Sequence, residues 1–337
     1  MTEDLVARWT SAEWRDQAHG WIRDRVRVTG PIEESKVRFW SVVLKVPVDG
    51  GWAWFKENAP SQAFEAGLVA AIDRIAPGRV APVLGVDADR GWLLTADLGT
   101  PLGERRPEDD EAAAAELADL VLAWSSLQRG LVRHEAAMRG ARVPAFEDWH
   151  AMPYAVALAD HLAGLPEGDG RRLSSQDRRL VDDGLQRLGQ ASARLEASGI
   201  PDSLEHNDLH LWNAFRGPTG ATSFIDLGDA VWSHPFASWR IALWITRSNL
   251  GFGPGSAPYE RIVDAGLEPW TDLAPREELR AVLSAAERLS CLHRAESWRR
   301  LMADVPVECI PADWLDAPAS WLLSAVAEDP YVDAMSD

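Results

Sequence analysis

The sequence predicts an α+β protein with two lobes, a small β-rich N-terminal lobe and a larger, mostly helical C-terminal lobe. Between residues 37 and 96, short runs of β-branched and aromatic residues alternate with turn signals and are interrupted by one helical pattern. Beyond residue 111, the apolar residues mostly recur at helical spacing. A chain of 337 residues is long enough to form both lobes with a cleft between them.

The first lobe begins with an expected helix from Ala12 to Arg25, followed by three strands. A β-rich stretch from Val37 to Val48 leads into Asp49-Gly50-Gly51, which is a hairpin turn signal. Trp52 to Lys56 then has the alternation of a strand. We therefore expect two of these strands to form a hairpin that ends at Lys56.

A helix is expected next, between Pro60 and Gly78, because apolar residues recur there at helical spacing. Glu65 lies on this helix at the edge of its buried side. Two further strands, Val80 to Val86 and Trp92 to Ala96, complete the first lobe. The lobe boundary is placed near residue 100, at the start of a charged connector.

The second lobe is expected to contain helices and one small hairpin. The expected helices span residues 112–128, 146–162, 181–199, 238–250, 276–301 and 312–327. The segment Gly251 to Pro258 is expected to be a loop because of its glycines and prolines.

Composition and charge limit the classes of binding partner and the cellular compartment that we expect. A formal net charge of −18 argues against nucleic-acid binding and permits a cationic small-molecule partner. No stretch approaches 18 continuous apolar residues, and the first residues are acidic where a secretory signal is basic. Cys291 and Cys309 are too few for a disulfide framework or a thiolate metal site. We expect a cytoplasmic protein with reduced thiols and no membrane contact.

The densest set of chemically informative residues lies between residues 204 and 229, and it comprises His206, Asp208, His210, Asn213, Asp226 and Asp229. Asp208 is followed five residues later by Asn213, and an apolar run then ends in Asp226. This is the spacing that phosphoryl transfer to a hydroxyl requires, in which one carboxylate takes the acceptor's proton and the other two groups hold magnesium on the nucleotide.

A hairpin is expected to bring the two metal-binding groups together. Asn213 to Phe215 can enter a strand, Pro218-Thr219-Gly220 is turn-forming, and Thr222 to Ile225 can return as the second strand. Asn213 and Asp226 would then be close enough to share a metal ion.

A nucleotide kinase also needs a cation on the α- and β-phosphates, positioned by a partner carboxylate. Only three of the 34 lysine and arginine residues are lysines, namely Lys36, Lys45 and Lys56. Lys56 ends a strand directly before the helix that carries Glu65, so we predict that Lys56 and Glu65 form this pair. Lys45 is the alternative, and a strand-end lysine can also be a solvated edge residue.

At these residues the sequence resembles the aminoglycoside phosphotransferase family, the bacterial branch of the protein-kinase-like fold that also includes choline and homoserine kinases. The matching motifs are His206-Asn-Asp208-x-x-x-x-Asn213 and Ile225-Asp226-x-Gly-Asp229. The resemblance implies transfer of the γ-phosphoryl group of ATP or GTP to a hydroxyl of an aminoglycoside-like, amino-alcohol or sugar acceptor. It implies that Asp208 is the catalytic base and that Asn213 and Asp226 bind Mg²⁺.

The resemblance also divides the chain into a nucleotide-binding lobe, residues 1–100, and a lobe with the catalytic loop and acceptor pocket, residues 101–337. Trp92 to Pro101 resembles the strand that runs into the family's hinge, where backbone groups of Ala96 and Leu98 would hold the base. The sequence departs from the pattern of the resembled family in two places. The segment Thr29 to Ser35 has a single glycine and cannot form a G-x-G-x-x-G loop. Trp54 would narrow the purine pocket and could favour a different base.

The acceptor is less well defined by the sequence. Residues 251 to 337 contain 16 Asp and Glu against 7 Arg, a net charge of −9. In the resembled family acidic groups of this region form the acceptor pocket, although an acidic surface is the slightly favoured alternative. Trp212, Trp232, Trp239 and Trp244 crowd the catalytic segment and could bind a cation, but such residues more often belong to a core.

Alternative roles remain open at three residues. In the resembled family the ring corresponding to His206 usually braces the loop. His210 could contact the transferring phosphate or tie the loop to Asp226. Asp229 could be a secondary metal ligand or a bracing residue.

The competing function is a metal-dependent hydrolase in which His206, Asp208, His210 and Asp226 bind a metal. That hypothesis leaves Lys56 unexplained. A nucleotide-binding module without catalysis is a third possibility, disfavoured because every catalytic position is filled.

Overall fold

The computed structural model describes residues 2–217 and 220–331. The helices are α1 (Leu5–Trp9), α2 (Ala12–Arg23), α3 (Glu65–Ile75), α4 (Asp110–Leu131), α5 (Glu135–Gly140), α6 (Ala151–Ala163), α7 (Ser175–Ser198), α8 (Arg240–Ser248), α9 (Ala257–Leu267), α10 (Arg276–Asp304) and α11 (Ala317–Val326). The strands are β1 (Glu33–Arg38), β2 (Ser41–Val48), β3 (Gly51–Asn58), β4 (Val83–Asp87), β5 (Trp92–Ala96), β6 (Ser203–Glu205), β7 (Ala214–Arg216), β8 (Thr222–Phe224) and β9 (Val231–Ser233). The predicted α+β class, with a β-rich first part and a helical second part, is confirmed.

The N-terminal sheet has the strand order β1-β2-β3-β5-β4, and all neighbours are antiparallel. The β2–β3 hairpin turns at Gly50, whose φ of 83° is a left-handed conformation that favours glycine. In this hairpin Lys45 is paired with Trp54, and Val43 is paired with Lys56. Because side chains alternate along a strand, Trp54 and Lys56 lie on one face of the sheet. The residues next to them along β3, Phe55 and Glu57, lie on the other face.

The first two helices cover that other face. Trp14 of α2 and Trp92 of β5 both donate their indole N–H to the Glu57 carboxylate, at 2.7 and 2.6 Å. Arg8 of α1 forms an ion pair with the same carboxylate, and Phe55 packs edge-on against Trp14. These contacts bury Glu57 and fix which face of β3 is turned inward, so Lys56 must point to the opposite side.

Hydrogen bonds join helix α4 to strand β6, which directly precedes the chemically informative residues. Gln128 of α4 is fully buried, and its Nε2 donates to the carbonyl oxygens of Leu204 and Pro235 at 2.8 and 2.9 Å. Ser203 Oγ donates back to the Gln128 carbonyl oxygen at 2.7 Å. Gly199 ends α7 with a φ of 65°, which lets the chain turn from this helix into β6.

Two short antiparallel pairs flank this segment, β6 with β9 and β7 with β8. The β7–β8 pair is the predicted hairpin, with Ala214 opposite Phe224. Of the expected turn, Pro218 and Thr219 lie outside the described residues. Across the described chain, no helix is long and apolar enough to cross a membrane.

Several helix boundaries differ from prediction. Helix α6 begins at Ala151 and not at residue 146, α7 begins at Ser175 and not at residue 181, and two further differences lie at prolines. The segment predicted as a loop up to Pro258 already contains the start of α9, with Pro258 in its first turn. The helix expected over 312–327 is divided, because Pro318 lies in the first turn of α11 and a separate 3₁₀ turn, Ala312–Trp314, precedes it. Three helices, α1, α5 and α9, were not predicted. Helices α1 and α5 are too short to show a helical pattern, whereas α9 directly follows the glycine- and proline-rich segment that was predicted as a loop.

The packing of α7 against α11 gives a stability prediction. A methyl group at Gly184 would lie 2.5 Å from both the Cβ and the carbonyl oxygen of Val326. Gly184→Ala should therefore lower the free energy of unfolding by about 1–3 kcal/mol, measured by urea denaturation. Gly189→Ala on the same helix is the control, because its nearest non-helical atom is Met152 Sδ at 3.7 Å. It should be neutral or stabilising, and equal effects of the two changes would contradict the prediction.

Candidate active site

A cleft of about 800 Å³ lies between the five-stranded sheet and the helical part. All seven residues predicted to form the site line it, and they are Lys56, Glu65, Ala96, Leu98, Asp208, Asn213 and Asp226. A larger cavity, of about 1080 Å³, lies on the far side of α3 and contains none of these residues. We identify the site by its converging ionisable groups, because volume alone does not indicate chemistry.

Lys56 lies between two carboxylates. Its Nζ is 2.7 Å from Glu65 Oε2 and 2.5 Å from Asp226 Oδ1. Burial alone would lower the pKa of Lys56, but the two carboxylates outweigh it and raise the pKa above its ordinary value. Lys45 does not take part, since its Nζ lies 3.9 Å from the centre of the Trp52 ring. The choice of Lys56 over Lys45 thus agrees with the geometry.

Glu65 also connects α3 to the segment that carries Asp226. Its Oε1 accepts a hydrogen bond from the backbone N–H of Leu227 at 2.8 Å, and Oε2 accepts one from Asn58 Nδ2. Asp226 has a φ of 63°, a left-handed conformation that is uncommon for a residue other than glycine. The positive charge of Lys56 lowers the pKa of Asp226, so this carboxylate is ionised at neutral pH.

Asp208 faces a cation that the sequence did not indicate. Its Oδ1 lies 3.9 Å from Arg294 Nη1, and its Oδ2 lies 3.4 Å from His210 Nε2. Burial would raise the pKa of Asp208, but Arg294 and His210 outweigh this effect and hold the pKa well below its ordinary range. Asp208 is therefore an acceptor-only carboxylate at neutral pH.

The donor set at Asn213 and Asp226 fits a magnesium ion. Asn213 Nδ2 donates to the Asp208 carbonyl oxygen at 3.0 Å, which leaves its Oδ1 as the group available to a metal. The Ile225 N–H donates to the Asn213 carbonyl oxygen at 3.0 Å and so fixes the segments on which the two residues lie. A carboxylate and a carboxamide oxygen are ligands that Mg²⁺ prefers.

His206 and Asp229 have the contacts of bracing residues. His206 is fully buried, its Nε2 lies 3.1 Å from the Ile225 carbonyl oxygen, and burial lowers its pKa. The Asp229 carboxylate accepts hydrogen bonds from Gln62 Nε2 at 2.7 Å and Arg294 Nη1 at 3.2 Å. It also accepts one from the Ser297 hydroxyl. With these partners Asp229 ties the loop to both sides of the cleft.

The geometry gives no support to a hydrolase metal cluster. Among the residues that the structure describes, no group of three or more His, Cys, Asp and Glu side chains is arranged to hold a metal ion. His206 Nε2 is directed at a backbone carbonyl and not at the other proposed ligands.

The hinge segment carries a contact that local sequence did not suggest. Trp54 Nε1 donates to Asp97 Oδ1 at 2.7 Å, so the indole is fixed beside Ala96 and Leu98 at the edge of the cleft. Ala96 N–H donates to the Pro82 carbonyl oxygen at 2.9 Å. Trp54 lines the cleft, as its register with Lys56 requires.

The C-terminal region contributes no acidic side chain to the described cleft lining. Its lining residues are Arg294, Ser297, Trp298, Leu301 and Trp314. The acidic residues beyond position 250 therefore agree with the interpretation of an acidic surface. Arg294 and its neighbours were missed because they lie some 70 to 100 residues from the motifs and carry no local signal.

The tryptophans near the catalytic segment are mostly core residues. Trp232 and Trp239 are buried, and Trp239 stacks on Phe236 with ring centres 4.6 Å apart. Trp212 is the exception, with 57% of its surface exposed, and it packs over Gly103.

No protein-family model matches the chain, and no curated protein matches it in sequence. Its structure is similar to that of an ethanolamine kinase from Plasmodium vivax, with a TM-score of 0.62, 13% identity and coverage of 91% of this chain and 85% of that one. The choline kinase LicA from Streptococcus pneumoniae has a TM-score of 0.57, 11% identity and coverage of 93% and 99%. The macrolide 2'-phosphotransferase MphH from Brachybacterium faecium has a TM-score of 0.56, 13% identity and coverage of 93% and 98%. These similarities confirm the predicted two-lobed, protein-kinase-like fold.

The charge on Arg294 predicts how Asp208 titrates. In Arg294→Gln the burial of Asp208 is opposed mainly by His210, so the pKa of Asp208 should rise. A carboxylate with a depressed pKa loses its stabilising contribution as the pH falls from its unfolded-state pKa to its folded-state pKa. The acid-dependent loss of stability linked to Asp208 should therefore be smaller in this variant and be complete at higher pH. The pKa is measured from the carboxyl carbon chemical shift in an NMR titration. Arg299→Gln, on the same helix, is the control, and an unchanged Asp208 pKa in Arg294→Gln would contradict the prediction.

Proposed function

We propose that this protein is a small-molecule kinase that transfers the γ-phosphoryl group of ATP or GTP to a hydroxyl of an acceptor. The observation that carries the proposal is the ion pair of Lys56 with Glu65 and Asp226, in one cleft with Asp208. A cation held between a helix carboxylate and a metal-binding carboxylate is the arrangement that nucleotide phosphates require. The structural similarity to LicA, which has also been solved in complex with AMP (10% identity, TM-score 0.56), supports a nucleotide site here.

On the nucleotide side, the sheet and the hinge supply the contacts. Lys56 would bind the α- and β-phosphates, and Glu65 would hold Lys56 in place. Ala96 already donates its N–H to the Pro82 carbonyl oxygen, so a contact of this residue with a base would be made through its carbonyl oxygen, whereas Leu98 would offer its N–H. We assign nucleotide binding mainly to residues 1–100, and the catalytic loop with most of the acceptor pocket to residues 101–337.

Asn213 and Asp226 would hold Mg²⁺, which neutralises charge on the phosphates when bound. Their side chains are fixed by contacts with Asp208 and Lys56. A metal held by so few protein groups needs the nucleotide phosphates to complete its coordination.

Asp208 would accept a hydrogen bond from the acceptor hydroxyl and receive its proton as the new bond forms. Arg294 keeps this carboxylate ionised, so it is ready to accept at neutral pH. The acceptor classes suggested by the structural neighbours and the motifs are aminoglycosides, amino alcohols, macrolides and sugars.

A screen of nucleotide consumption tests the proposal. The protein is incubated with ATP or GTP and Mg²⁺ against a library of aminoglycosides, sugars, amino alcohols and nucleosides, and product masses are recorded. A gain of one phosphoryl group on a library member supports the kinase. Metal-dependent cleavage of a library member without nucleotide would favour the hydrolase.

Replacing Asp208 by asparagine should abolish transfer while leaving nucleotide affinity nearly intact, because a carboxamide keeps the loop's shape and cannot take the proton. Loss of a general base lowers kcat by about 100- to 10,000-fold. Asp89→Asn on the β4–β5 turn is the control and should be silent. Turnover of the Asp208→Asn protein within tenfold of the unmodified enzyme would remove Asp208 from this role.

Lys56 and Glu65 should behave as one unit. Lys56→Ala and Glu65→Ala should each lower kcat/KM by roughly 100-fold, the scale of losing one preorganised electrostatic contact. The double variant should be far less impaired than the product of the two effects, because the second change removes a partner already lost. Lys45→Ala is the control and should be nearly silent. Simple multiplication of the two single effects would show that the pair does not act together.

A further inference from the structure

One face of α10 forms a wall of the cleft beyond the proposed base. Arg294, Ser297, Trp298 and Leu301 all line the cleft, and their spacing places them on a single helix face. Arg294 lies beside Asp208, and the following residues of α10 lead away from the base toward Trp40 at the β1–β2 turn. This wall is therefore the surface that an acceptor bound at Asp208 would meet.

Three indoles dominate this wall. Trp298 and Trp314 stack with ring centres 4.9 Å apart and an angle of 21° between planes. Trp40, at the β1–β2 turn, contacts both rings edge-on at 6.2 and 6.0 Å. Trp314 is 40% exposed, so part of this cluster remains open. The sheet and the helical part thus contact each other through these apolar rings, on the acceptor side of the cleft.

The charges in this half of the cleft do not suit a polycation. Beyond residue 250 the described lining contains a single charged residue, Arg294, and it is positive. Lys36 of β1 adds a second positive charge to the lining. Asp229 is already engaged by Arg294, Gln62 and Ser297, so it is not free to pair with ammonium groups. Ammonium groups packed against the part of the described lining beyond residue 250 would lose water without gaining a carboxylate partner there, which is unfavourable.

We propose that the acceptor is an uncharged hydroxyl compound with an aromatic or otherwise apolar body that packs against Trp40, Trp298 and Trp314. The proposal rests on the kinase function and narrows its acceptor class. Apolar area buried against indole rings supplies binding energy without a charged partner. In the reaction, the acceptor oxygen bonds to the γ-phosphorus and the bond from that phosphorus to the β–γ bridging oxygen breaks. The proton passes to Asp208, and the nucleoside diphosphate leaves.

A matched pair of probes isolates the effect of charge. Choline and 3,3-dimethylbutan-1-ol differ only in a quaternary nitrogen replaced by carbon, and 2-(2-naphthyl)ethanol adds aromatic area. Each is titrated calorimetrically into the full-length protein with saturating Mg²⁺ and a non-hydrolysable ATP analogue, beside kanamycin as the polycation. The neutral alcohol should bind at least about five-fold more tightly than choline, and the naphthyl alcohol more tightly still, with no kanamycin binding. Tighter binding of choline or kanamycin, or no binding of either neutral alcohol, overturns the proposal.

Tryptophan variants test where in the cleft the naphthyl alcohol binds. Trp314→Phe should bind 2-(2-naphthyl)ethanol more weakly, and Trp40→Ala should weaken it by about five-fold or more, the scale of one lost aromatic contact. The affinity for the ATP analogue should not change in either. Trp52→Ala is the control, because Trp52 is a partly exposed indole of the same sheet that does not line the cleft. Unchanged affinity in both cleft variants overturns the assigned position.

Different experimental outcomes would contradict the acceptor class and the kinase function. If the screen finds phosphoryl transfer only to cationic acceptors, the kinase function stands and the acceptor class is wrong. If neither ATP nor GTP binds and Asp208→Asn changes nothing, the kinase function itself is wrong.

Discussion

Lys56 brings one positive charge between two carboxylates that come from different parts of the chain, Glu65 on α3 and Asp226 after β8. A charge at a partly buried position is costly unless it is paired, so the sheet, the helix and the β8 segment are constrained to meet at this point. Glu65 strengthens the constraint, because its other oxygen binds the Leu227 backbone. The orientation of Lys56 in turn depends on Glu57, whose burial under the N-terminal helices fixes the face of β3.

Helix α10 supplies the corresponding constraint on the other side of the cleft. Arg294 donates to the Asn207 carbonyl oxygen at 3.1 Å and to the Asp229 carboxylate, and Ser297 donates to the same carboxylate. Because Gln62 of the sheet side also binds Asp229, that one side chain links the two halves. The same helix then continues into the indole wall, so a single rigid element positions both the loop around Asp208 and the proposed acceptor surface.

The features that were predicted correctly are those that produce a local sequence pattern. The β2–β3 hairpin, its register and the position of Lys56 follow from a turn signal and from alternation, and the short β7–β8 hairpin follows in the same way. Arg294 could not be identified from a local pattern, because its contact with Asp208 spans 86 positions and depends on how α10 packs. The indole wall has the same origin, since Trp40 and Trp314 come from opposite ends of the chain and only tertiary structure brings them together.

The arrangement around Asp208 also bears on what kind of reaction it can serve. A side chain that must remove a proton before bond formation works best with a pKa near the working pH, and Arg294 holds the pKa of Asp208 far below that range. Phosphoryl transfer makes a different demand, because its transition state is loose and the protein mainly positions groups and stabilises charge. A weakly basic carboxylate in a fixed orientation meets that demand, since it aligns the hydroxyl and takes the proton only once the oxygen–phosphorus bond makes it acidic. The effect of Arg294 on Asp208 thus fits phosphoryl transfer better than a reaction in which this carboxylate must remove a proton before bond formation.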